Sequence, residues 1–234
     1  FDEACKSAAE RGIRVTGSEL VGLIPKQSLL DAADFYLTRQ ERSLGIPERE
    51  KIKIAVKSLG LDDLGPFDPQ KKVIEYMLED ANNERLVRMD LKRFSEETAA
   101  ESPAPGGGSV AAYVGALGVS LGTMVANLSA HKRGWDERWE VFSNAAERGQ
   151  HLKDALLRSV DEDTDAFNEI MTAFGLPNGT PEEKAVRKAA IQAATKKAIE
   201  VPLKVMRLSL DSFPLIRQMV ETGKPSTKPE SAQQ

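Results

Sequence analysis

Apolar residues recur every three or four positions along most of the chain, which is the spacing of amphipathic helices. In residues 26–45 the apolar positions have helical spacing, and Gly45 follows closely as a stop signal; these positions are Leu29, Leu30, Ala33, Tyr36 and Leu37. Further helices are predicted over residues 2–11, 47–60, 89–102, 136–177, 181–200 and 203–223. The pattern therefore predicts a mainly α-helical protein.

Two segments near the N-terminus have the pattern of strands instead. They are IRVTG at 13–17 and the short apolar run ELVGLIP at 19–25, and two strands are too few to close a sheet. We therefore expect an α/β remnant over 1–85, followed by an all-helical bundle over 86–223. The last residues, 224–234, are rich in Pro, Ser, Lys and Gln, and they are predicted to be disordered.

Three signals mark where the later helices begin and end. TPEE places Thr180 as an N-cap and Glu183 three residues later, which predicts a capping box. The pattern over 136–177 indicates either one long helix or two helices joined near Gly149. Pro202 is expected to interrupt the helix that begins after Thr180, because proline lacks a backbone N–H.

Residues 102–130 contain no charged residue in an otherwise densely charged chain. Their length is compatible with a membrane span, but serine, threonine, asparagine and glycine make the segment weakly hydrophobic. We therefore expect a buried helix and no membrane span. Its small residues would form one stripe that lets another helix approach closely; these are Ala111, Gly115, Gly118, Gly122 and Ala126.

A glycine run precedes that helix. Pro105 leads into Gly106, Gly107 and Gly108, and Ser109 follows within the first turn. Glycine lets a ligand approach the backbone, and first-turn N–H groups have no partner within the helix. The positive end of the helix dipole suits a carboxylate, a phosphate or a polarised carbonyl. The alternative is a flexible turn capped by Ser109.

An acidic residue interrupts an apolar helical face in the segment DEDTDAF. Asp163 falls between Val160 and Phe167 on that face, whereas Asp161 and Asp165 point to the opposite side and are interpreted as solvated surface acids. Burial in general raises the pKa of a carboxyl group, which lets it exchange protons near neutral pH. Asp163 is therefore a candidate catalytic residue. The alternatives are a structural ion pair or a solvated position at the edge of the helix.

Composition excludes several other classes of protein. The net charge of −4 gives no basic surface for nucleic acid, and a single cysteine, Cys5, excludes an internal disulfide and fits a reducing compartment. His131 and His151 are too few and too isolated for a metal site, so no metal is expected. The N-terminus FDEACKS has no signal peptide pattern, so a cytoplasmic protein is expected.

Several of these motifs occur together in one known family. SPAPGGGSVAAYVGALGVSLGTMV, DEDTDAF, LPNGTPEEK and EVPLKV resemble the cyclodeaminase domain of the formiminotransferase-cyclodeaminase family. Upstream, VTGSELVGLIP, RSLG and IAVKSLGLDDLGPFDP are similar to the end of the formiminotransferase domain. The likeness extends over about residues 1–223 in the family's order.

The resemblance implies a folate enzyme of histidine breakdown. The first domain of such enzymes transfers a formimino group from N-formiminoglutamate to tetrahydrofolate. The second domain is helical, oligomerises, and cyclises 5-formiminotetrahydrofolate to 5,10-methenyltetrahydrofolate with release of ammonia. Its site lies near the glycine loop and contains an essential aspartate, for which the burial argument selects Asp163. Residues 105–109 would bind the pterin amide or a folate carboxylate.

Two departures from the family pattern leave alternatives open. The segment that carries the catalytic histidine of the first domain is missing, so no formiminotransferase activity is expected from this chain. After VETG the family continues with further helices, whereas this chain continues with KPSTKPESAQQ. The alternatives are a methenyltetrahydrofolate cyclohydrolase, or an inactive truncated form that only assembles with full-length subunits.

Overall fold

The computed structural model describes residues 1–78 and 85–227, and in these ranges it contains helices and no strand. The predicted mainly α-helical fold is confirmed. The described residues form two compact units, which are treated separately below. The first unit contains residues 1–78 and 130–144, and the second unit contains residues 85–129 and 145–227. The predicted boundary near residue 85 adjoins 79–84, which lie outside the described residues.

The first unit is built on two packed helices and their short neighbours. Its helices are α1 (Asp2–Glu10), α2 (Lys26–Arg39), α3 (Glu48–Ser58), α4 (Pro69–Lys72) and α5 (Ile74–Leu78). Leu29 and Ala33 from α2 are fully buried against Ile52 and Ala55 from α3. The apolar spacing seen in residues 26–45 is thus the core face of α2.

The strands predicted over 13–17 and 19–25 do not form. Pairing there is limited to one isolated parallel bridge between Ile24 and Val73. Ile24 N–H donates to Lys72 O at 2.9 Å, and Ile74 N–H donates to Ile24 O at 3.0 Å. A strand needs a neighbour that bonds along its length, and the described residues supply that neighbour at one position. The α/β character expected for 1–85 is therefore absent from the described part of the chain.

Four helices form the second unit. They are α6 (Leu91–Ala99), α7 (Gly107–Ala130), α8 (Trp139–Phe174) and α9 (Pro181–Thr222); the last residue of α7 and the first turns of α8 belong to the first unit. Their core is apolar, and it consists of Leu86, Ala112, Ala116, Val119, Leu156, Val160 and Val205. The first turn of α7 therefore lies beside the middle of α8.

Small residues of α7 allow close approach of α9, as predicted, but the predicted stripe is only partly correct. A Cβ at Gly115 would lie 3.1 Å from Ser209 Oγ, and a Cβ at Gly122 would lie 2.9 Å from Leu215 Cδ2. Ala111 and Gly118 are exposed instead. Larger residues share the buried side of the helix, because the periodicity of small side chains does not coincide with the face turned to the core.

The face of α7 opposite the core is apolar and exposed. Val114, Leu117, Leu121, Met124 and Leu128 are between 43% and 63% exposed. Among the described helices, α7 is the one that is long and apolar enough to cross a membrane, and 44% of that stretch is buried in the protein. Buried core helices have the same length and composition, so this observation alone is weak evidence for a span. The absence of a membrane span stays a prediction.

The two long helices are continuous. α8 passes Gly149 without a break. A Cβ at Gly149 would lie 2.0 Å from Thr123 Oγ1, so this glycine is a contact point with α7. The expected interruption at Pro202 is wrong, since α9 continues through Pro202 and Pro214. Both prolines are exposed, so water can solvate the carbonyl groups that lose their helical partners.

The ends of α9 agree with local sequence signals. Thr180 Oγ1 accepts a hydrogen bond from Glu183 N–H at 3.1 Å, and Glu183 Oε2 accepts one from Thr180 N–H at 3.0 Å, which confirms the capping box. Beyond the helix, Lys224 N–H donates to Ser129 Oγ at 2.8 Å, and Pro225–Thr227 form a 3-10 turn. The rest of the predicted disordered tail, 228–234, lies outside the described residues.

Candidate functional site

The candidate site lies within the second unit, where the first turn of α7 meets α8. Pro105 is buried, Gly106 is half-buried, and α7 begins at Gly107. Ser109 follows with no exposed surface. The glycine run thus leads into a helix whose third residue, Ser109, is buried in the core. A helix that begins at the glycine run was expected from the sequence.

Asp163 of α8 is in contact with the N-terminal turn of α7. Its Oδ2 accepts a hydrogen bond from Ser109 N–H at 2.9 Å, and Ser109 Oγ lies 3.1 Å from the same oxygen. Ser109 Oγ also donates to Val160 O at 2.8 Å. An N–H group in the first helical turn and the positive end of the helix dipole both stabilise a carboxylate. The aspartate selected from the sequence therefore lies beside the glycine loop.

Gly108 leaves the space that the carboxylate occupies. A Cβ at this position would lie 2.1 Å from Asp163 Oδ1 and 2.6 Å from Asp163 Cγ. A Cβ at Gly106 would lie 3.7 Å from Oδ2, whereas one at Gly107 would meet nothing within 4 Å. Of the three glycines, Gly108 is thus the one whose missing side chain is required by Asp163.

The surroundings of Asp163 are less apolar than the sequence indicated. Asp163 is half-buried. Phe167, which was expected on the apolar face, is 39% exposed, and Phe174 is 50% exposed. Ala166 and Ala173 are buried in their place. The core face of α8 contains small residues there, and periodicity of large apolar side chains does not detect them.

Ser109 also differs from its expected use. The sequence suggested that its first-turn N–H would bind a ligand. In the structure that N–H is bonded to Asp163, so it is not free for a folate group. Pro105, Gly106, Gly107 and Gly108 stay predicted substrate-binding residues. The N–H groups of the glycines at the start of α7 have no partner within the helix, whereas Pro105 has no N–H to donate.

Asp161 was wrongly interpreted as a solvated surface acid. Its Oδ1 accepts a hydrogen bond from Leu86 N–H at 2.8 Å, and burial raises the pKa of Asp161 despite that bond and nearby Arg85. Asp165 is exposed, as expected, and pairs with Arg85 at 2.7 Å. No local pattern marks Asp161, because its partner Leu86 lies 75 residues earlier.

The two histidines belong to different units of the fold. In the first unit, His131 Nε2 accepts a hydrogen bond from Ser43 N–H at 3.3 Å, and partial burial together with Arg42 lowers the pKa of His131. His151 is exposed on α8. Among the described residues, no group of three or more His, Cys, Asp and Glu side chains could hold a metal ion.

A charged groove of about 720 Å³ lies between α8 and α9. Its lining includes Glu162, Asp165, Lys197 and Lys204, but not Asp163 or the glycines. Lys204 pairs with Glu162 at 2.6 Å, and Lys197 pairs with Glu169. These lysines are therefore already paired with carboxylates of the protein. For this reason we place the candidate site at Asp163 and not in the groove.

Known proteins resemble this chain over both regions. A family model described as formiminotransferase-cyclodeaminase matches residues 90–232, and one described as formiminotransferase domain matches residues 1–79. Formimidoyltransferase-cyclodeaminase from Gallus gallus is 40% identical over 203 residues, which are 86% of this chain and 37% of the relative. The chain spans between 37% and 42% of the length of such relatives.

Two further comparisons cover part of the chain. Methenyltetrahydrofolate cyclohydrolase from Methylorubrum extorquens is 37% identical over 133 residues, which are 57% of this chain and 64% of that protein. The crystal structure of formiminotetrahydrofolate cyclodeaminase from Thermotoga maritima has a TM-score of 0.51 and 28% identity, covering 60% of this chain and 66% of that one. The helical fold is therefore shared with that protein.

Proposed function

Since the chain belongs to the formiminotransferase-cyclodeaminase family, we propose that its second unit cyclises 5-formiminotetrahydrofolate to 5,10-methenyltetrahydrofolate and releases ammonia. One observation supports this proposal above the others: Asp163 lies against the glycine-led N-terminus of α7, held by Ser109. The cyclodeaminase named among the solved relatives has the same helical fold.

The proposed reaction requires one group that accepts and then donates a proton. N10 of the folate loses a proton as it forms a bond to the amidine carbon, and the departing nitrogen gains a proton as its bond to that carbon breaks. A single carboxyl group in contact with both nitrogens can perform the two transfers in turn. We assign this role to Asp163, and the proton it accepts is the proton it donates.

The glycine loop would hold the substrate next to that carboxyl group. Pro105, Gly106, Gly107 and Gly108 lead into α7 and begin it, and a Cβ at Gly106 or Gly108 would lie within 4 Å of Asp163 Oδ2. The N-terminus of a helix attracts a polarised carbonyl or a carboxylate. We propose that these residues bind the pterin amide or a folate carboxylate. Tetrahydrofolate would be the carrier of the reacting group, and no metal is expected to take part. A cytoplasmic location is also proposed.

The first unit is proposed to be the C-terminal part of a formiminotransferase domain, in keeping with the match over residues 1–79. The isolated bridge between Ile24 and Val73 is the one place where described residues of this region pair as in a sheet. Glutamate formimidoyltransferase activity is then a property of the full-length enzyme.

Methenyltetrahydrofolate cyclohydrolase activity is the second candidate function. The relative with that name from Methylorubrum extorquens supports this candidate. Its similarity to this chain extends over 133 residues, which are 57% of the chain. The two reactions differ in their substrates and products. A cyclohydrolase consumes 5,10-methenyltetrahydrofolate with water and produces no ammonia, so ammonia release distinguishes them.

The test is ammonia release from 5-formiminotetrahydrofolate by this chain and by Asp163→Asn. We expect the variant to lose at least about a hundredfold in turnover, because an amide cannot replace a carboxyl group in proton transfer. Asp165→Asn is the matched control, since Asp165 is an exposed acid on the same helix. Equal turnover by wild type and Asp163→Asn would remove Asp163 from the mechanism, and absence of ammonia from the wild type would contradict the activity itself.

Self-association through the second unit is also proposed, with a second copy of the chain on the exposed face of α7. That helix carries no charged residue over its 24 positions, so two copies can meet without like-charge repulsion. The exposed apolar residues repeat at intervals of three and four, as in a helix–helix seam. An inactive form that acts only in assembly would use the same face, and the ammonia assay separates it from an active one.

A further inference from the structure

The Ser109 hydroxyl lies near more hydrogen-bond acceptors than it has protons to donate. Its Oγ is 2.8 Å from Val160 O and 3.1 Å from Asp163 Oδ2, and Thr164 Oγ1 is 3.5 Å away. A hydroxyl group has one proton to donate. Because Ser109 has no exposed surface, water does not compete for this proton. The hydroxyl therefore donates to one acceptor at a time, and Val160 O and Asp163 Oδ2 are the two nearest.

The backbone N–H of Ser109 has a single acceptor. Ser109 N–H donates to Asp163 Oδ2 at 2.9 Å, in a helical turn whose geometry is rigid. Asp163 Oδ2 is thus held by one donor at all times and by a second one when the hydroxyl turns toward it. Within the described residues, Asp163 Oδ1 has no hydrogen-bond donor, and it lies over Gly108.

We infer that Ser109 is a positioning residue whose hydroxyl proton follows the charge of Asp163. When Asp163 is ionised, the hydroxyl and the N–H of Ser109 both donate to Oδ2. When Asp163 takes a proton from the substrate on Oδ1, the hydroxyl turns to Val160 O while the N–H stays on Oδ2. The proton then leaves Oδ1 for the departing nitrogen, and the hydroxyl returns to Oδ2.

This inference rests on the proposed cyclodeaminase function and assigns separate tasks to the two carboxyl oxygens. Oδ2 fixes the position of the side chain, and Oδ1 exchanges the proton. It also replaces the expectation that Ser109 binds the substrate. A substrate-binding residue and a positioning residue differ in kinetics, because the first acts on KM and the second acts on kcat.

The experiment compares Ser109→Ala with Ser109→Thr. Removal of the hydroxyl is expected to lower kcat roughly tenfold, as for the loss of one hydrogen bond to a charged group, with KM within about twofold of wild type. Ser109→Thr retains a hydroxyl and is expected to recover most of kcat. Ser129→Ala is the control, because Ser129 is equally buried on α7 and lies 20 residues from Ser109.

Two results would overturn the inference. A rise in KM with unchanged kcat in Ser109→Ala would place the hydroxyl on the substrate, and unchanged values of both would give it no part in the reaction. Circular dichroism melting establishes that each variant is folded. If the added methyl group of Ser109→Thr prevents folding, Ser109→Ala and the measurement below decide.

A second readout needs no activity and separates this inference from the proposed function. The ¹³C resonance of the Asp163 carboxyl group, assigned by its loss in Asp163→Asn, is expected to shift in Ser109→Ala and to stay in place in Ser129→Ala. An unmoved resonance would contradict the hydroxyl contact even if the wild type releases ammonia. A shifted resonance in a protein that releases none would retain the contact while rejecting the activity.

Discussion

At the scale of single residues, the site depends on an absent side chain. Gly108 and Asp163 occupy a space in which a Cβ would lie 2.1 Å from a carboxylate oxygen, far inside normal contact distance. The neighbouring Ser109 holds the other oxygen, so the carboxylate cannot move without losing its hydrogen bonds. Glycine is needed here for close approach rather than for an unusual backbone conformation.

Gly108→Ala is therefore expected to displace the Asp163 carboxylate and to reduce ammonia release by about a hundredfold, as for a catalytic group misplaced by about 1 Å. Helix propensity favours alanine by roughly 1 kcal/mol, so the variant should still fold. Turnover and thermal melting are the measurements. Gly118→Ala is the control, because a Cβ at Gly118 meets nothing within 4 Å. Equal turnover in both variants would contradict the steric argument.

At the scale of elements, the connection from the end of α7 to the first turns of α8 packs apart from the rest of those helices. Residues 130–144 pack within the first unit, although the family model that matches residues 90–232 contains them. Ser43 N–H donates to His131 Nε2, and Leu44 N–H donates to Ser143 Oγ at 2.9 Å. The loop after α2 is thus held by two side-chain acceptors from this segment.

Acidification should weaken this attachment. Partial burial lowers the pKa of His131 in the folded protein, so the unfolded chain binds more protons as the pH falls below the ordinary value of about 6.5. The stabilisation from neutral His131 is complete above that pH. It is lost as the pH falls through the lower pKa that His131 has in the folded protein. Protonation also removes the Nε2 acceptor from Ser43.

Urea unfolding followed by tryptophan fluorescence measures this effect, because both tryptophans, Trp135 and Trp139, lie in the 130–144 segment. We expect the unfolding midpoint to fall between about pH 7.5 and pH 5.5 in the wild type. The fall should be smaller in His131→Gln, whose amide oxygen still accepts a hydrogen bond. His151→Gln is the control. The same pH dependence in wild type and His131→Gln would exclude His131 as its source.

At the scale of the whole molecule, the exposed face of α7 is an apolar face that no described residue covers. Leu121 is 63% exposed at the centre of that face, and the opposite side of the helix forms the core of the second unit. Burial of one leucine contributes about 1.5–3 kcal/mol. A second copy of the chain placed here would remove several such side chains from water.

Leu121→Glu is expected to weaken self-association at least about tenfold, because a charge would enter an apolar contact. Sedimentation velocity over a range of concentrations measures the change. Val186→Glu is the matched control, since Val186 is 64% exposed on α9 and lies away from the face of α7. A wild type that stays monomeric, or equal weakening by both substitutions, would refute the proposed contact.

Prediction from the sequence succeeded where the signal is local. The capping box of Thr180 and Glu183 involves residues three positions apart, and α7 begins within the glycine run, as expected. Neighbouring residues along one helix determined these two features. The structure places Asp163 beside the glycine loop, as the family resemblance implied, and its catalytic role stays a prediction.

Prediction failed where a distant segment decides. Asp161 was assigned to the surface because its partner, Leu86, lies on another element. Pro202 was expected to end a helix that continues, since its exposed position lets water solvate the freed carbonyl group. The segments 13–17 and 19–25 stay unpaired apart from one bridge because a strand exists only with a neighbour.

The amino-acid sequence by itself determined the helices, their caps, the uncharged nature of α7 and the family to which the chain belongs, because these depend on residue identity and on spacings of a few positions. The tertiary structure alone decided which oxygen of Asp163 is held, why residue 108 has no side chain and which apolar face stays exposed. Those properties depend on contacts between residues that are distant in the sequence, such as Ser109 and Asp163, which are 54 positions apart.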